Sequence, residues 1–186
     1  MSDIDYSIHY ARFHDDTESH AENMAAWLKT ILEPAVPKDR QSTVLDIGCG
    51  YGFALRALRH LGFMQLTGLE ISPQQAARCR KAGFEVAVTD NTTRWLKESA
   101  GQFDFIVLLD VLEHIQVENQ IDFARAVRGA LRPDGKLLLT VPNANAILST
   151  RWRYIDQTHY CSFTEHSLYF VLKNAGFSVI EIDAEK

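Results

Sequence analysis

The order of apolar and polar segments predicts an α/β fold, a doubly wound and mostly parallel sheet with helices on both faces. Three observations carry this. Strand-like runs alternate with helix-like segments from residue 43 onward, the pattern of a parallel sheet built by crossover helices. The run Phe103 to Leu109 is almost continuously apolar, as a strand covered on both faces is. A glycine-rich turn, Gly48-Cys49-Gly50-Tyr51-Gly52, separates a first strand from a helix.

Each element has its own signal. Residues 1–42 read as an N-terminal helical lid or cap: a polar stretch from Asp3 to His20, then a helix Ala21 to Leu32 with Met24, Trp27, Leu28 and Ile31 at helical spacing. Pro34 and Pro37 end it. Residues 43–186 form the ligand-binding domain. Thr43 to Ile47 is a buried strand, Phe53 to Leu61 a helix, and Gln65 to Glu70 a second strand. Ser72-Pro73-Gln74-Gln75 opens a helix with a capping Ser and Pro at the first helical position. Gly83 stops that helix. Phe84 to Val88 is a third strand, Thr93 to Ala100 a short helix, and Phe103 to Leu109 the fourth strand. A helix from Asn119 to Leu131 ends in the turn Arg132-Pro133-Asp134-Gly135. Lys136 to Val141 is a fifth strand, stopped by Pro142, and Asn143 to Phe163 is an irregular loop. A helix Thr164 to Ala175, stopped by Gly176, leads to a sixth strand, Phe177 to Ile182.

A chain of 186 residues, 46% hydrophobic, suffices for one substantial core. Its net charge of −5 gives no global attraction to phosphate backbones or anionic lipid, so neither a nucleic-acid partner nor a membrane is expected. No apolar stretch approaches the roughly 20 residues that span a bilayer, and the acidic N-terminus does not read as a signal peptide. A cytoplasmic location is the expectation. Cys49, Cys79 and Cys161 show no paired spacing for a disulfide framework or a zinc site.

The glycine turn lets a ligand approach the backbone closely. A dinucleotide fingerprint would put its third glycine at position 53, which is Phe53, and no Gly-Lys-Ser/Thr ending makes a phosphate loop. Asp46 lies just before the glycines. It would repel a pyrophosphate but attract an ammonium group, so the ligand should be cationic there. Glu70, at the end of the second strand and 20 residues beyond Gly50, stands where an acid accepts hydrogen bonds from ribose hydroxyls. S-adenosylmethionine, with an ammonium, a sulfonium and no phosphate, fits both acids.

With these residues in view, the chain resembles class I S-adenosylmethionine-dependent methyltransferases over essentially its whole length. The resemblance implies that Gly48, Cys49 and Gly50 line the methionine part of the cofactor, that Glu70 grips its ribose and that Ile71 packs on adenine. Asp90 and Asn91 would meet the adenine amino group, although Asp and Asn in a loop are also common turn formers. Leu109 joins the cofactor-binding set from the end of the fourth strand. Tyr10, in an aromatic group with Tyr6, His9, Arg12 and His14, is placed to reach the cofactor carboxylate from a lid, with a merely mobile terminus as the alternative.

The catalytic candidates follow the fourth strand in Asp110-Val111-Leu112-Glu113-His114. If a helical turn begins at Asp110, spacings of three and four bring Asp110, Glu113 and His114 to one side of it. This Glu-His pair resembles that of small-molecule O-methyltransferases of the quinone-biosynthesis type. The segment Arg153 to Thr164, with Asp156, Thr158-His159 and Phe163-Thr164, resembles methyltransferases of polysaccharide biosynthesis. His114 and His159 can each take the proton of an acceptor hydroxyl, or simply anchor backbone or loop. A divalent ion on Glu113, His114 and His159, with or without Asp110, is the alternative, while the leading reading assigns no metal. The expected function is therefore methyl transfer to a small-molecule acceptor, an O-methylation of a sugar or related metabolite. Rival readings are a nicotinamide-dependent oxidoreductase, a non-catalytic S-adenosylmethionine-binding module and, on the acidic charge less favoured, an RNA 2′-O-methyltransferase.

The family's sheet has a seventh strand, antiparallel between the fifth and sixth, for which the chain has no segment after Ile182. The expectation is therefore a fragment of a longer protein with a further C-terminal domain, or a homodimer or rearranged edge that covers the gap.

Overall fold

The structure is a computed structural model that describes residues 12–15 and 17–184, residue 152 by its backbone alone. Its centre is a five-stranded, all-parallel sheet in the order β3-β2-β1-β4-β5, with β1 Val44–Ile47, β2 Leu66–Glu70, β3 Glu85–Val88, β4 Phe103–Leu109 and β5 Leu131–Thr140. The α-helices among the described residues include α1 Glu18–Leu32, α2 Phe53–His60, α3 Pro73–Lys81, α4 Thr92–Glu98, α5 Gln120–Ala130, α6 Ser149–Tyr154 and α7 Glu165–Ala175.

Alternation along the strands divides the core. Phe105 and Val107 of β4 face one apolar cluster with α1, α2 and α3, whereas Ile106 and Leu108 face another with α4, α5 and α7. Phe63, Phe105 and Phe123 are essentially sealed from water. Each large apolar side chain buried this way contributes about 1.5–3 kcal/mol. Helix α1, part of the segment 1–42 set apart above, buries Ala25, Leu28 and Leu32 in the first cluster.

Local chemistry explains the element ends. Thr17 caps α1 through His20 N, Ser72 caps α3 through Gln75 N ahead of Pro73, and Thr164 with Ser167 closes a capping box on α7. The predicted turn at Arg132 to Gly135 is an irregularity inside β5, where the register with β4 shifts and Asp134 adopts φ 66°. The loop of 143–163 contains the short helix α6 and is closed at its base by a bridge between Asn143 and Phe163.

Two expectations are corrected. No helical turn begins at Asp110: this residue sits at φ 51°, and a single 3-10 turn spans Leu112–His114 instead. The predicted sixth strand, Phe177 to Ile182, joins no ladder, although Phe177, Ile180 and Ile182 pack against the second core cluster. Among the described residues β5 therefore remains the outer edge of the sheet, and apolar alternation only seats this segment on the core.

Candidate active site

The order β3-β2-β1-β4-β5 reverses direction between β1 and β4. In open parallel sheets this switch point leaves a crevice at the carboxyl ends of the strands, where ligands bind. Ile47 pairs with Leu108 there. The glycine turn leaves from β1 and the Asp110–His114 segment from β4, so topology alone brings the two candidate groups together.

Glycine is required on the β1 side by shape. Gly48 and Gly52 hold φ 73° and 86°, values that side chains other than glycine's rarely adopt. A Cβ on Gly48 would stand 2.7 Å from Val111 Cγ2, and one on Gly52 2.7 Å from Cys79 Sγ. The first contact means that the donor-side turn and the turn after β4 touch directly.

The acids of this half behave differently. Glu70 is buried and accepts Gly50 N–H at 2.9 Å through Oε2, and Ile71 N–H at 2.9 Å and Ser72 N–H at 2.8 Å through Oε1. Its carboxylate thus staples the glycine turn to the end of β2. Asp46 is buried too, yet its Oδ2 has no hydrogen-bond partner. Burial, reinforced by the charge of Glu70, pushes its carboxyl up to about 8. An unsatisfied buried carboxylate oxygen two residues before the glycine turn fits a cationic ligand, as the ammonium end of S-adenosylmethionine is. Ile71 is half-exposed beside Glu70. Asp90 and Asn91 are exposed and line an open depression with Thr89, Arg94 and Trp95. Asn91 also caps α4 by accepting Arg94 N–H, so the turn-former reading of this residue holds locally.

The β4 half gathers three of the four catalytic candidates. Glu113 is fully buried, and neither of its carboxylate oxygens has a hydrogen-bond partner. Burial, then the charges of Asp110 and Asp156, push its carboxyl up to about 8. His159 Nε2 lies 4.0 Å from Glu113 Oε1 and 4.0 Å from Asp156 Oδ2. The rings of His114 and His159 meet edge to face at 4.6 Å. One donor atom from each of Glu113, His114 and His159 lies within 4.8 Å of the other two. Asp110 stands outside this triad: it is exposed, and its carboxylate accepts Thr140 Oγ1–H at 2.9 Å. Its carboxyl is nonetheless raised, chiefly by desolvation.

Residues not singled out as chemical in the sequence hold this arrangement. Thr158 Oγ1 donates to Asp156 Oδ1 at 2.6 Å and lies 2.8 Å from His114 Nδ1. Since the single hydroxyl hydrogen of Thr158 goes to Asp156, Oγ1 accepts from His114 Nδ1–H, which assigns the lone pair of a neutral His114 to Nε2. Tyr160 N–H donates to Glu113 O at 2.8 Å, tying the 143–163 loop to the turn after β4. Gln120 Nε2 donates to Leu112 O at 3.4 Å and Ile115 O at 3.1 Å and pins that turn from below. The spacing Asp156-x-Thr158 was the available signal, since a carboxylate two residues before a hydroxyl commonly folds back on it. Leu109 sits half-buried at the end of β4, Cys49 is buried, and Tyr10 lies outside the described residues, as do Tyr6 and His9. Arg12 is exposed. Among the described residues no helix is long and apolar enough to cross a membrane.

Comparison with known proteins bears on the fold and the family. Residues 17–182 match the family model described as a methyltransferase domain. The ubiquinone biosynthesis O-methyltransferase of Xanthomonas axonopodis pv. citri (strain 306) is 29% identical over 167 residues, covering 81% of this chain and 66% of that protein. That of Xanthomonas oryzae pv. oryzae (strain PXO99A) is 31% identical over 105 residues, covering 54% of this chain and 43% of that protein. This chain thus spans about two thirds or less of these curated relatives. A SAM-dependent methyltransferase from Archaeoglobus fulgidus superposes with a TM-score of 0.72 at 22% identity, covering 87% of this chain and 79% of that one. With the parallel sheet, the glycine turn and the unpartnered oxygen of Asp46, the match over nearly the whole chain means that it belongs to the methyltransferase-domain family, as a class I S-adenosylmethionine-dependent member.

Proposed function

We propose that this domain methylates a hydroxyl of a small metabolite, a sugar or a related compound, at the crevice between β1 and β4. The observation that supports the reading is the packing of Val111, three residues before His114, against Gly48. On this reading Asp46 meets the cofactor's ammonium, Glu70 its ribose and Ile71 its adenine, with Asp90 and Asn91 at the purine edge and Leu109 at the floor. Segment 1–42 acts as the cap, and a cytoplasmic location belongs to the same proposal.

S-adenosylmethionine supplies an electrophilic methyl group on a sulfonium. The acceptor's O–C bond forms as the S–C bond breaks, S-adenosylhomocysteine leaves, and the hydroxyl proton must be lost. Losing that proton and aligning the oxygen are what the protein contributes. The Glu113-His114-His159 triad after β4 is the group suited to this. The printed names of the curated relatives, O-methyltransferases of ubiquinone biosynthesis, support an oxygen acceptor. The segment 153–164 supports a sugar.

The test is a methyl-transfer assay with labelled S-adenosylmethionine over sugar hydroxyls, phenols and amines, with S-adenosylhomocysteine binding measured beside it. Transfer to a sugar hydroxyl, reduced at least about 100-fold in His159→Ala with cofactor binding retained, is expected. Transfer only to nitrogen overturns the oxygen assignment. Tight cofactor binding with no turnover on any acceptor returns the domain to a binding module.

A further inference from the structure

We infer that Glu113, His114 and His159 form a binding site for one divalent transition-metal ion, which the acceptor hydroxyl joins as an additional ligand. The inference rests on the proposed O-methylation only for the last clause; the site itself rests on geometry.

Glu113 is the first ground. A carboxylate with no exposure and no hydrogen bond to either oxygen is a costly feature unless a cation completes it. Among the described residues an imidazole approaches it, with His159 Nε2 4.0 Å from Oε1.

Convergence is the second ground. Donor atoms from three residues on two separate segments meet within 4.8 Å. A tetrahedral ion with bonds of 2.0–2.2 Å wants its donors about 3.4 Å apart, so closure by roughly 1 Å completes the site. The loop that carries His159 is held to the turn after β4 at Tyr160 N and Glu113 O, leaving side-chain rotation and a small loop shift to supply that closure.

Orientation is the third ground. The chain Asp156–Thr158–His114 fixes Nδ1 as the donor and Nε2 as the lone pair, the arrangement by which outer hydrogen bonds aim a metal-binding imidazole. Two imidazoles and one carboxylate suit Zn²⁺, Mn²⁺ or Co²⁺ better than Mg²⁺ or Ca²⁺, which prefer all-oxygen sets. Three protein ligands also leave a position open, as sites that act on a bound oxygen require. A hydroxyl bound there loses its proton to solvent far more readily, so the attacking oxygen arrives as an alkoxide.

The experiment is titration of the purified whole chain, stripped with chelator, with Zn²⁺ by calorimetry and with Co²⁺ by visible absorption, each variant also tested for S-adenosylhomocysteine binding. One equivalent of Zn²⁺ is expected, with His159→Ala and Glu113→Gln losing it and Thr158→Val weakening it about 10- to 100-fold. Tetrahedral Co²⁺ bands that vanish in His159→Ala give a readout independent of activity. If Glu113→Gln does not fold, His159→Ala and Thr158→Val carry the test alone. Absence of stoichiometric binding, or binding indifferent to these substitutions while the cofactor still binds, overturns the site. Binding as described without transfer to any hydroxyl sinks the O-methylation reading and leaves the metal site standing.

Discussion

Asp46 and Glu70 are two acids at the ends of adjacent strands, and their surroundings give them opposite roles. Glu70 is satisfied three times by backbone N–H groups, whereas Asp46 keeps a buried oxygen without a partner. The carboxyl of Asp46 is raised from 3.8 to about 8, so the cofactor-free fold keeps a proton that the unfolded chain has already released. Stability therefore falls as pH rises through the window from about 4 to about 8, and Asp46→Asn flattens that part of the profile, as chemical unfolding at several pH values will register. A cationic ligand recruits the ionised form. Affinity for S-adenosylhomocysteine should thus rise up to about tenfold per pH unit below about 8, with proton release detectable as buffer-dependent heat; affinity that is flat across this range would show that Asp46 does not meet the amine. The positions of both acids were legible because their distance from the glycines is a sequence property. That Asp46 and Glu113 are left unsatisfied, and that Asp156 reaches His114 through Thr158, were not, since each depends on which segments a fold brings together.

At the scale of elements, two turns do most of the positioning. The glycine turn was legible from composition, but its partner across the crevice was misjudged. Helical spacing suggested that Asp110, Glu113 and His114 share a helix face, yet Asp110 adopts φ 51° and turns away to Thr140 while Glu113 is sealed inside. Local spacing rules presume a regular helix, and one left-handed residue breaks the presumption. The contact between Gly48 and Val111 makes a sharp prediction. Gly48→Ala places a methyl 2.7 Å from Val111 Cγ2 in a left-handed conformation and should cost about 2–4 kcal/mol in urea unfolding. Val111→Ala removes the clashing methyl and should recover the packing part of that loss but not the backbone part. Full additivity in this double-mutant cycle would mean the two turns are not in contact.

For the molecule as a whole, the doubly wound architecture was legible from the order of segments, whereas the edge was not. Phe177 to Ile182 has the composition of a strand, but pairing is non-local and composition does not reveal a neighbour. In the structure this segment anchors Phe177, Ile180 and Ile182 on the core without joining a ladder. Its amides should therefore exchange orders of magnitude faster than those of Ile106 and Leu108 on central β4, a difference that hydrogen exchange by mass spectrometry can read; equal protection would mean that the edge is paired in solution. The seam where Val111 meets Gly48 has a thermodynamic corollary. Two ligands seated on either side of one shared contact cannot bind independently if either shifts it, and linkage makes their influence mutual. Whatever factor Zn²⁺ imposes on the dissociation constant for S-adenosylhomocysteine, that ligand must impose the same factor on Zn²⁺. A factor above about 5 is expected, shrinking toward unity in Val111→Ala. The enzyme would then sense, at each half of its crevice, whether the other is filled, and would order its substrates through a single valine methyl.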